Sequence, residues 1–308
     1  ENSAREFDPR ISNSDGASVT TYSGLSAYAN THGFAAVNAS SSHSLSCSVI
    51  AKSPGSDAMQ RDHWYSSSRI ADQLLTPEYV GRKAAEETLS RLGAKKLTSR
   101  QAPVMYIPPL ASGLIGHFTS AIQGGSLYRK ASFLVDSLGT QVFPEFINLY
   151  EQPFIPRGMR SAAFDAEGVA TREKDIVRNG IVESYILASY SARKLGMQTT
   201  GNASGLHNLT VDSTGQNFDE MLALMDTGLL VTELIGSGIN GITGDYSRGA
   251  AGFWVEGGKI QYPVEEITIA GNLSEMLRNI VAVGNDLDPR LGTRTGSILV
   301  ENMMISGE

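Results

Sequence analysis

The sequence predicts an α+β fold: a largely antiparallel, barrel-like β-sheet with a few packed helices. Three observations carry that prediction. Short stretches alternate apolar and polar residues with the two-residue period of a half-buried strand, as in Ser44-Leu45-Ser46-Cys47-Ser48-Val49. Asn179-Gly180 and Gly257-Gly258 each stand between two strand-like runs, and both dipeptides suit two-residue hairpin turns. Strand-like and helix-like stretches do not alternate regularly, so there is no βαβ rhythm to indicate a parallel sheet.

Two regions follow from the pattern: 1–98, a β-meander with one amphipathic helix, and 99–308, a β-rich domain. Residues 1–10 (ENSAREFDPR) lack an initiating Met and read as an approach to structure already under way, so the sequence is expected to be a piece of a longer protein. The meander is built from runs at 21–30, 33–40, 44–49 and 59–69, bounded by Gly, Asn, Ser or Pro54-Gly55. In the alternating run, Leu45, Cys47 and Val49 share one face and serines the other. The serines lie in no G-x-S-x-G elbow, so a small-residue face packing close to another sheet is expected rather than a nucleophile. Thr76-Pro77-Glu78 opens a helix, with Thr76 as N-cap and Pro77 in the first helical position. Val80, Ala84, Leu89 and Leu92 fall near helical spacing, Glu86, Glu87 and Arg91 lie outside, and Gly93 stops the helix.

In the second region, 102–108 (APVMYIP) reads as a buried strand, and 110–123 (LASGLIGHFTSAIQ) as an apolar helix ending at Gly124-Gly125. A zinc peptidase helix needs two His one turn apart with a Glu beside them as general base. Here there is only His117, expected to be a buried or capping histidine. The five His of the chain (32, 43, 63, 117 and 207) show no metal-binding spacing. Further on, 164–168 is a turn, and 175–177 and 181–185 are strands flanking Asn179-Gly180. Residues 189–196 (SYSARKLG) form a short helix or turn and 199–205 a small polar loop. Phe218, Met221, Leu222 and Met225 make one face of a helix ending at Gly228. Glycines crowd 232–272: a strand entry at 229–232, a loop at 235–248 holding Asp245, Tyr246 and Arg248, and then a hairpin turning at Gly257-Gly258. Pro263, which cannot donate to a ladder, belongs at a strand edge or end. A strand at 296–304 closes the chain. GSGINGITG has neither the G-K-[ST] ending nor the Rossmann spacing, so it is no phosphate loop.

This glycine-rich stretch supports two readings, a loop closing the sheet or a rim where a peptide or partner docks. The candidate contacts are Tyr190, Arg193, Asn202, Asp245, Tyr246 and Arg248, polar groups in Gly-rich loops. The alternative for each is a turn-stabilising hydrogen bond.

Composition narrows the function classes. Of 308 residues, 41% are hydrophobic and 19% charged, which is the balance of a globular chain with a sizeable core. The formal net charge is −7, and no Lys/Arg stripe exists to hold nucleic acid. The one cysteine, Cys47, permits no internal disulfide and fits a reducing compartment. No apolar run approaches a membrane span. The expectation is a soluble cytoplasmic protein without nucleic-acid or membrane partners.

FDPRISNSDGA (7–17), GGSLYRKASFLVDSLG (124–139), SYSARKLG (189–196), TGNASG (200–205), TELIGSGINGITGDYSRGAAGFWVEGGKIQYPV (232–264) and VGNDL (283–287) resemble the TldD/PmbA family, most closely its PmbA (TldE) branch. The resemblance runs over essentially the whole sequence. Family members carry a further N-terminal α/β domain that this sequence lacks. The resemblance implies a cytoplasmic bacterial peptidase system in which a TldD-type subunit pairs with a TldE-type subunit as a heterodimeric zinc metallopeptidase acting on unfolded or short extended peptides. The TldD-type subunit bears H-E-x-x-x-H on the apolar helix and a Cys near the C-terminus. Here Gly116, His117 and Ala121 stand at those helix positions, and Arg294-Thr295-Gly296 offers no thiol. The resemblance therefore transfers no catalytic residue and no metal ligand; zinc is expected in the partner subunit. Two alternatives stay open: a hydrolase active on its own, or a non-enzymatic regulator of the gyrase-modulator type. Homodimerisation of the isolated chain also stays open.

Overall fold

The computed structural model describes residues 1–53, 55 and 58–307; of the expected Pro54-Gly55 boundary, Pro54 lies outside the described residues. The chain divides into two compact units, Glu1–Lys95 and Lys96–Glu308.

The first unit opens with helix α1 (Asn2–Phe7) and continues as an antiparallel meander, β1 (Ile11–Ala29), β2 (Ala35–Lys52) and β3 (Met59–Ser68), in the order β1-β2-β3. The expected short runs are parts of much longer strands: 21–30 lies almost wholly in β1, while 33–40 and 44–49 merge into β2. The polar Ser/Asn segments between them break nothing, because they stay paired to a neighbouring strand and face water. Helix α2 (Pro77–Ser90) starts as expected, with the Thr76 hydroxyl accepting the Tyr79 N–H at 3.2 Å. It packs Val80, Ala84 and Ala85 onto Cys47, Val49 and Ala51, with Leu45, Leu89 and Leu92 partly buried beside them. β3 pairs only with the His43–Lys52 part of β2. Beyond it, β1 and β2 run on as a two-stranded ribbon. Leu25↔Ala39 and Ala27↔Val37 are cross-strand pairs, so the ribbon continues the apolar face of Cys47, and there Leu25 and Val37 are 78% and 66% exposed.

The second unit contains β4 (Arg100–Tyr106), α3 (Pro108–Ala121), α4 (Gly124–Tyr128), β5 (Leu149–Glu151), β6 (Lys174–Arg178), β7 (Ile181–Val182), α5 (Ser189–Lys194), β8 (Leu209–Val211), α6 (Phe218–Met225), β9 (Gly228–Ile235), β10 (Asp245–Glu256), β11 (Lys259–Asn272), α7 (Leu273–Arg278), β12 (Ile280–Val283), β13 (Thr293–Arg294) and β14 (Ile298–Ser306). Its main sheet runs β11-β10-β9-β4-β14-β12, and β11 also pairs with β14 through Thr268↔Ser306, Ile269↔Ile305 and Ala270↔Met304. That seam closes five strands into a barrel and leaves β12 attached outside. A smaller sheet runs β13-β8-β5-β6-β7. The antiparallel barrel is as the sequence predicts except that β4–β9 is parallel, and in the smaller sheet β13–β8 is parallel too. The β4–β9 crossover contains α3 and most of the smaller sheet, so it leaves no short-range rhythm to read.

Side chains alternate cleanly across the barrel wall. Val104, Tyr106, Leu229, Val231, Ile298 and Val300 join one core with Ile115 and Phe118 of α3. Met105, Leu230 and Leu299 face the other way, onto Met221, Leu222 and Met225 of α6. The Gly257-Gly258 turn has φ of 58° and 68°, the two positive values that a type I′ turn requires. Pro263 sits within β11 rather than at its end, but in the half that, among the described residues, pairs with β10 alone. The expected 235–248 loop ends earlier, because Asp245, Tyr246 and Arg248 already belong to β10 and pair with Asn272, Gly271 and Ile269. α3 starts two residues before the expected helix, with both prolines in its first turn.

Candidate functional site

Helix α3 organises the site because its two faces differ in kind. Ala111, Leu114, Ile115, Phe118 and Ala121 are buried in the core. The other face carries Ser112, Gly113, Gly116 and Ser120, beside a half-buried His117. A Cβ added at Gly113 or Gly116 would meet nothing within 4 Å, so open space lies in front of this face.

β10 supplies what stands next to His117. The imidazole meets the Tyr246 ring edge-on, with centroids 6.1 Å apart, and caps no helix end. Tyr246 is 3% exposed and Tyr106 fully buried; their hydroxyls lie together, and the Tyr106 hydroxyl donates to the Met303 sulfur at 3.2 Å. Burial pushes the Tyr106 phenol well above its ordinary range, and Tyr246 beside it adds to the rise. Burial, and then the charge of Arg248, lowers the His117 pKa below 6.5, so the ring is neutral at pH 7. Arg248 is half-buried; its Nε is out of reach of water and has no acceptor. Asp245 lies on the opposite side of β10, exposed, accepting from the Thr243 hydroxyl at 2.6 Å.

A second polar cluster centres on Glu151, 1% exposed on β5. Its Oε1 accepts from His207 Nδ1 at 2.8 Å, from the His207 N–H at 2.7 Å and from Asn202 Nδ2 at 2.8 Å. The Lys174 ammonium forms an ion pair with Oε2 and donates to the Thr200 carbonyl at 2.9 Å. Burial works against the Glu151 charge, but the bonds from His207 and Lys174 outweigh it and hold the carboxyl below 4.5. Asn202 also donates to the Gly205 carbonyl at 3.0 Å and accepts from the Thr200 hydroxyl at 2.8 Å, so its amide is spent inside the protein. A cavity of about 190 Å³ opens nearby, with Thr119 and Gln123 at the end of α3, Arg160, Ser204, Gly205 and Thr293 in its wall.

The six candidate residues thus fall into separate groups. Tyr246 packs on His117 and Arg248 lies near enough for its charge to act on the imidazole, with Asp245 on the outer side of the same strand. Tyr190, 54% exposed on α5, packs edge-on to Tyr128 at 5.8 Å, and Arg193 on the same helix is exposed. Asn202 belongs to the Glu151 network. Thr119, Gln123, Arg160 and Thr293 were not indicated by the sequence. They come from three distant segments and carry no local signal.

The residues at the α3 positions do not fit a zinc centre. Gly116 offers no donor, Ala121 presents a buried methyl group, and the His117 ring is packed on Tyr246. Thr295 is fully buried, with its hydroxyl bonded to the Gly296 carbonyl. Among the described residues, no three His, Cys, Asp or Glu side chains are grouped to hold a metal. No helix of the described residues is long and apolar enough to cross a membrane.

Comparison with known proteins adds the relatives. Residues 1–92 match the PmbA/TldA metallopeptidase central domain and residues 99–307 the PmbA/TldA metallopeptidase C-terminal domain. The chain is 49% identical over its full length to the metalloprotease PmbA of Escherichia coli, covering 68% of that protein. It is also 49% identical to the PmbA homologue of Haemophilus influenzae, again covering 68%. A solved Thermotoga maritima structure, described as a candidate modulator of DNA gyrase, superposes with a TM-score of 0.91 at 32% identity, over 99% of this chain and 72% of that one. TldE from Thermococcus kodakarensis shares the fold, with a TM-score of 0.86 at 22% identity over 99% of this chain and 71% of that one.

Proposed function

Because the chain belongs to the PmbA/TldD metallopeptidase family, matched across both of its units, we propose that it is the peptide-holding subunit of a cytoplasmic two-subunit metallopeptidase of the TldD/TldE type, with the hydrolytic zinc in a TldD-type partner. The observation that carries this reading is the open face of α3. Hydrolysis by a bound metal needs an ion-held water and a base to take its proton. At the positions that would provide them stand a glycine, an alanine and a neutral imidazole leaning on Tyr246.

What such a face can do is accommodate a chain. Gly113, Gly116, Ser112 and Ser120 leave room for an extended backbone to lie close to the helix. The hydroxyls of Ser112 and Ser120 can bond the main chain of such a segment, which gives tolerance of side-chain sequence and suits processing of unfolded or precursor peptides. The half-buried His117 and Arg248 supply polar groups beside it.

The test is co-purification from native cells, followed by metal analysis and peptide-cleavage assays of the isolated chain, the isolated partner and the mixture. Zinc and cleavage should appear only where the partner is present. Stoichiometric zinc and cleavage by this chain alone would overturn the reading. A pull-down that recovers gyrase and no peptidase partner would favour a regulator instead.

A further inference from the structure

We propose that Arg248 is a carboxylate receptor for the bound peptide, with Tyr246 and His117 forming its wall. The inference rests on the peptide-holding reading above and adds a chemical preference to it.

The argument begins from what a guanidinium needs. It is always charged, carries five N–H donors in a planar fork, and is costly to bury without acceptors. Three other cations with little exposure meet that need with a carboxylate. Lys174 has Glu151; Arg91, its side chain 13% exposed, has Asp62; Arg290, 15% exposed, has Asp288. Among the described residues Arg248 has no such partner. Its Nε is the one buried cationic nitrogen among them without an acceptor. Its neighbours are Tyr106, Tyr246 and His117, all uncharged at pH 7. The nearest acid in sequence, Asp245, lies across the strand and is engaged by Thr243 and Asn272.

An unused planar fork set among neutral groups is complementary to one ligand chemistry above others, a carboxylate taken in two parallel N–H···O bonds. The neutral His117 adds no second positive charge and can donate one more hydrogen bond. A peptide offers a carboxylate in two places, its C-terminus or an Asp or Glu side chain, and the experiment separates them.

Four fluorescein-labelled hexapeptides, identical except for a free or amidated C-terminus and a central Glu or Gln, are titrated by anisotropy into the wild-type protein, Arg248→Gln and Arg248→Lys. The wild type should bind an acid-bearing peptide about tenfold or more tighter than the peptide with neither acid. Whether the free C-terminus or the Glu gives the gain identifies the source. Arg248→Gln should erase that preference, leaving the four peptides within about twofold of one another. Arg248→Lys, which keeps the charge and loses the fork, should retain only part of it. Equal wild-type affinity for all four peptides, or a preference that survives Arg248→Gln, overturns the carboxylate receptor and leaves the peptide-holding reading standing. Binding of none of the four overturns both. Should Arg248→Gln fail to fold, the Arg248 Nε–H resonance of the ¹⁵N-labelled wild type decides: it shifts on titration with the acid peptides if the inference holds, and stays in place if it does not.

Discussion

His117 and Tyr246 meet edge to face with ring centroids 6.1 Å apart, and through that contact the apolar helix α3 is tied to the start of barrel strand β10. His117 also carries a pH signature. Burial and the Arg248 charge depress its pKa below 6.5, so between pH 6.5 and the lowered value the unfolded chain binds a proton that the folded chain does not. The stabilisation is complete above pH 6.5 and is lost as pH falls through the lowered value. Chemical denaturation between pH 7.5 and 5 should show a fall in stability that His117→Asn removes.

Glu151 should behave as the keystone of the small sheet. Glu151→Ala strands the buried Lys174 ammonium and the His207 N–H groups, and is expected to cost about 3–5 kcal/mol in urea unfolding. Because the folded carboxyl titrates below 4.5, its contribution is present above that value and fades as pH drops through the folded one. Glu151→Gln should therefore flatten the acid limb of the stability profile.

Two glycines should respond to alanine with opposite signs. At Gly252 the new Cβ would lie 1.9 Å from the Leu230 carbonyl oxygen, so the β9–β10 ladder must part, at a cost of about 3 kcal/mol or more. At Gly113 the new methyl meets open space on a helix, and Gly113→Ala should raise stability by about 0.5–1 kcal/mol. If that face holds peptide, the same change should weaken peptide binding, so melting temperature and affinity would move in opposite directions.

The β1–β2 ribbon should tolerate what the α2-covered end does not. Leu25→Ser and Val37→Ser lie at exposed positions and should stay within about 0.5 kcal/mol of wild type. Val49→Ala, fully buried beneath α2, should cost about 2 kcal/mol. Thermal melts of the three variants decide the comparison.

What could be read in advance was local. Thr76 and Pro77 mark a helix start because capping is settled within four residues, and Asn179-Gly180 and Gly257-Gly258 mark turns because positive φ has few tenants. The burial of Cys47 and Val49 followed from a two-residue period. What could not be read was non-local. Nothing near Val104 announces that it will lie parallel to Leu229, and nothing near Thr268 announces Ser306. The short strands β5 and β8 carry too few residues for a period to show. The candidate site shows the same division. Tyr246 and Arg248 stood out as polar groups among glycines, whereas their neighbour His117 comes from a helix more than a hundred positions earlier, and Asn202 looked available until Glu151 was seen to claim it.

The barrel seam also governs how the second unit comes together. Strand β4 is made early, yet one of its two lateral partners, β14, is among the last elements in the chain: Tyr106 waits for Ile298. Until then β4 has an unsatisfied flank, and the Ile269↔Ile305 junction cannot form. Long-range pairing of this kind slows folding and exposes bare strand edges to unwanted neighbours. A growing chain of this protein should consequently be a chaperone client up to the synthesis of its closing strand, and a nick anywhere in the β14 segment should open the whole cylinder rather than fray one end.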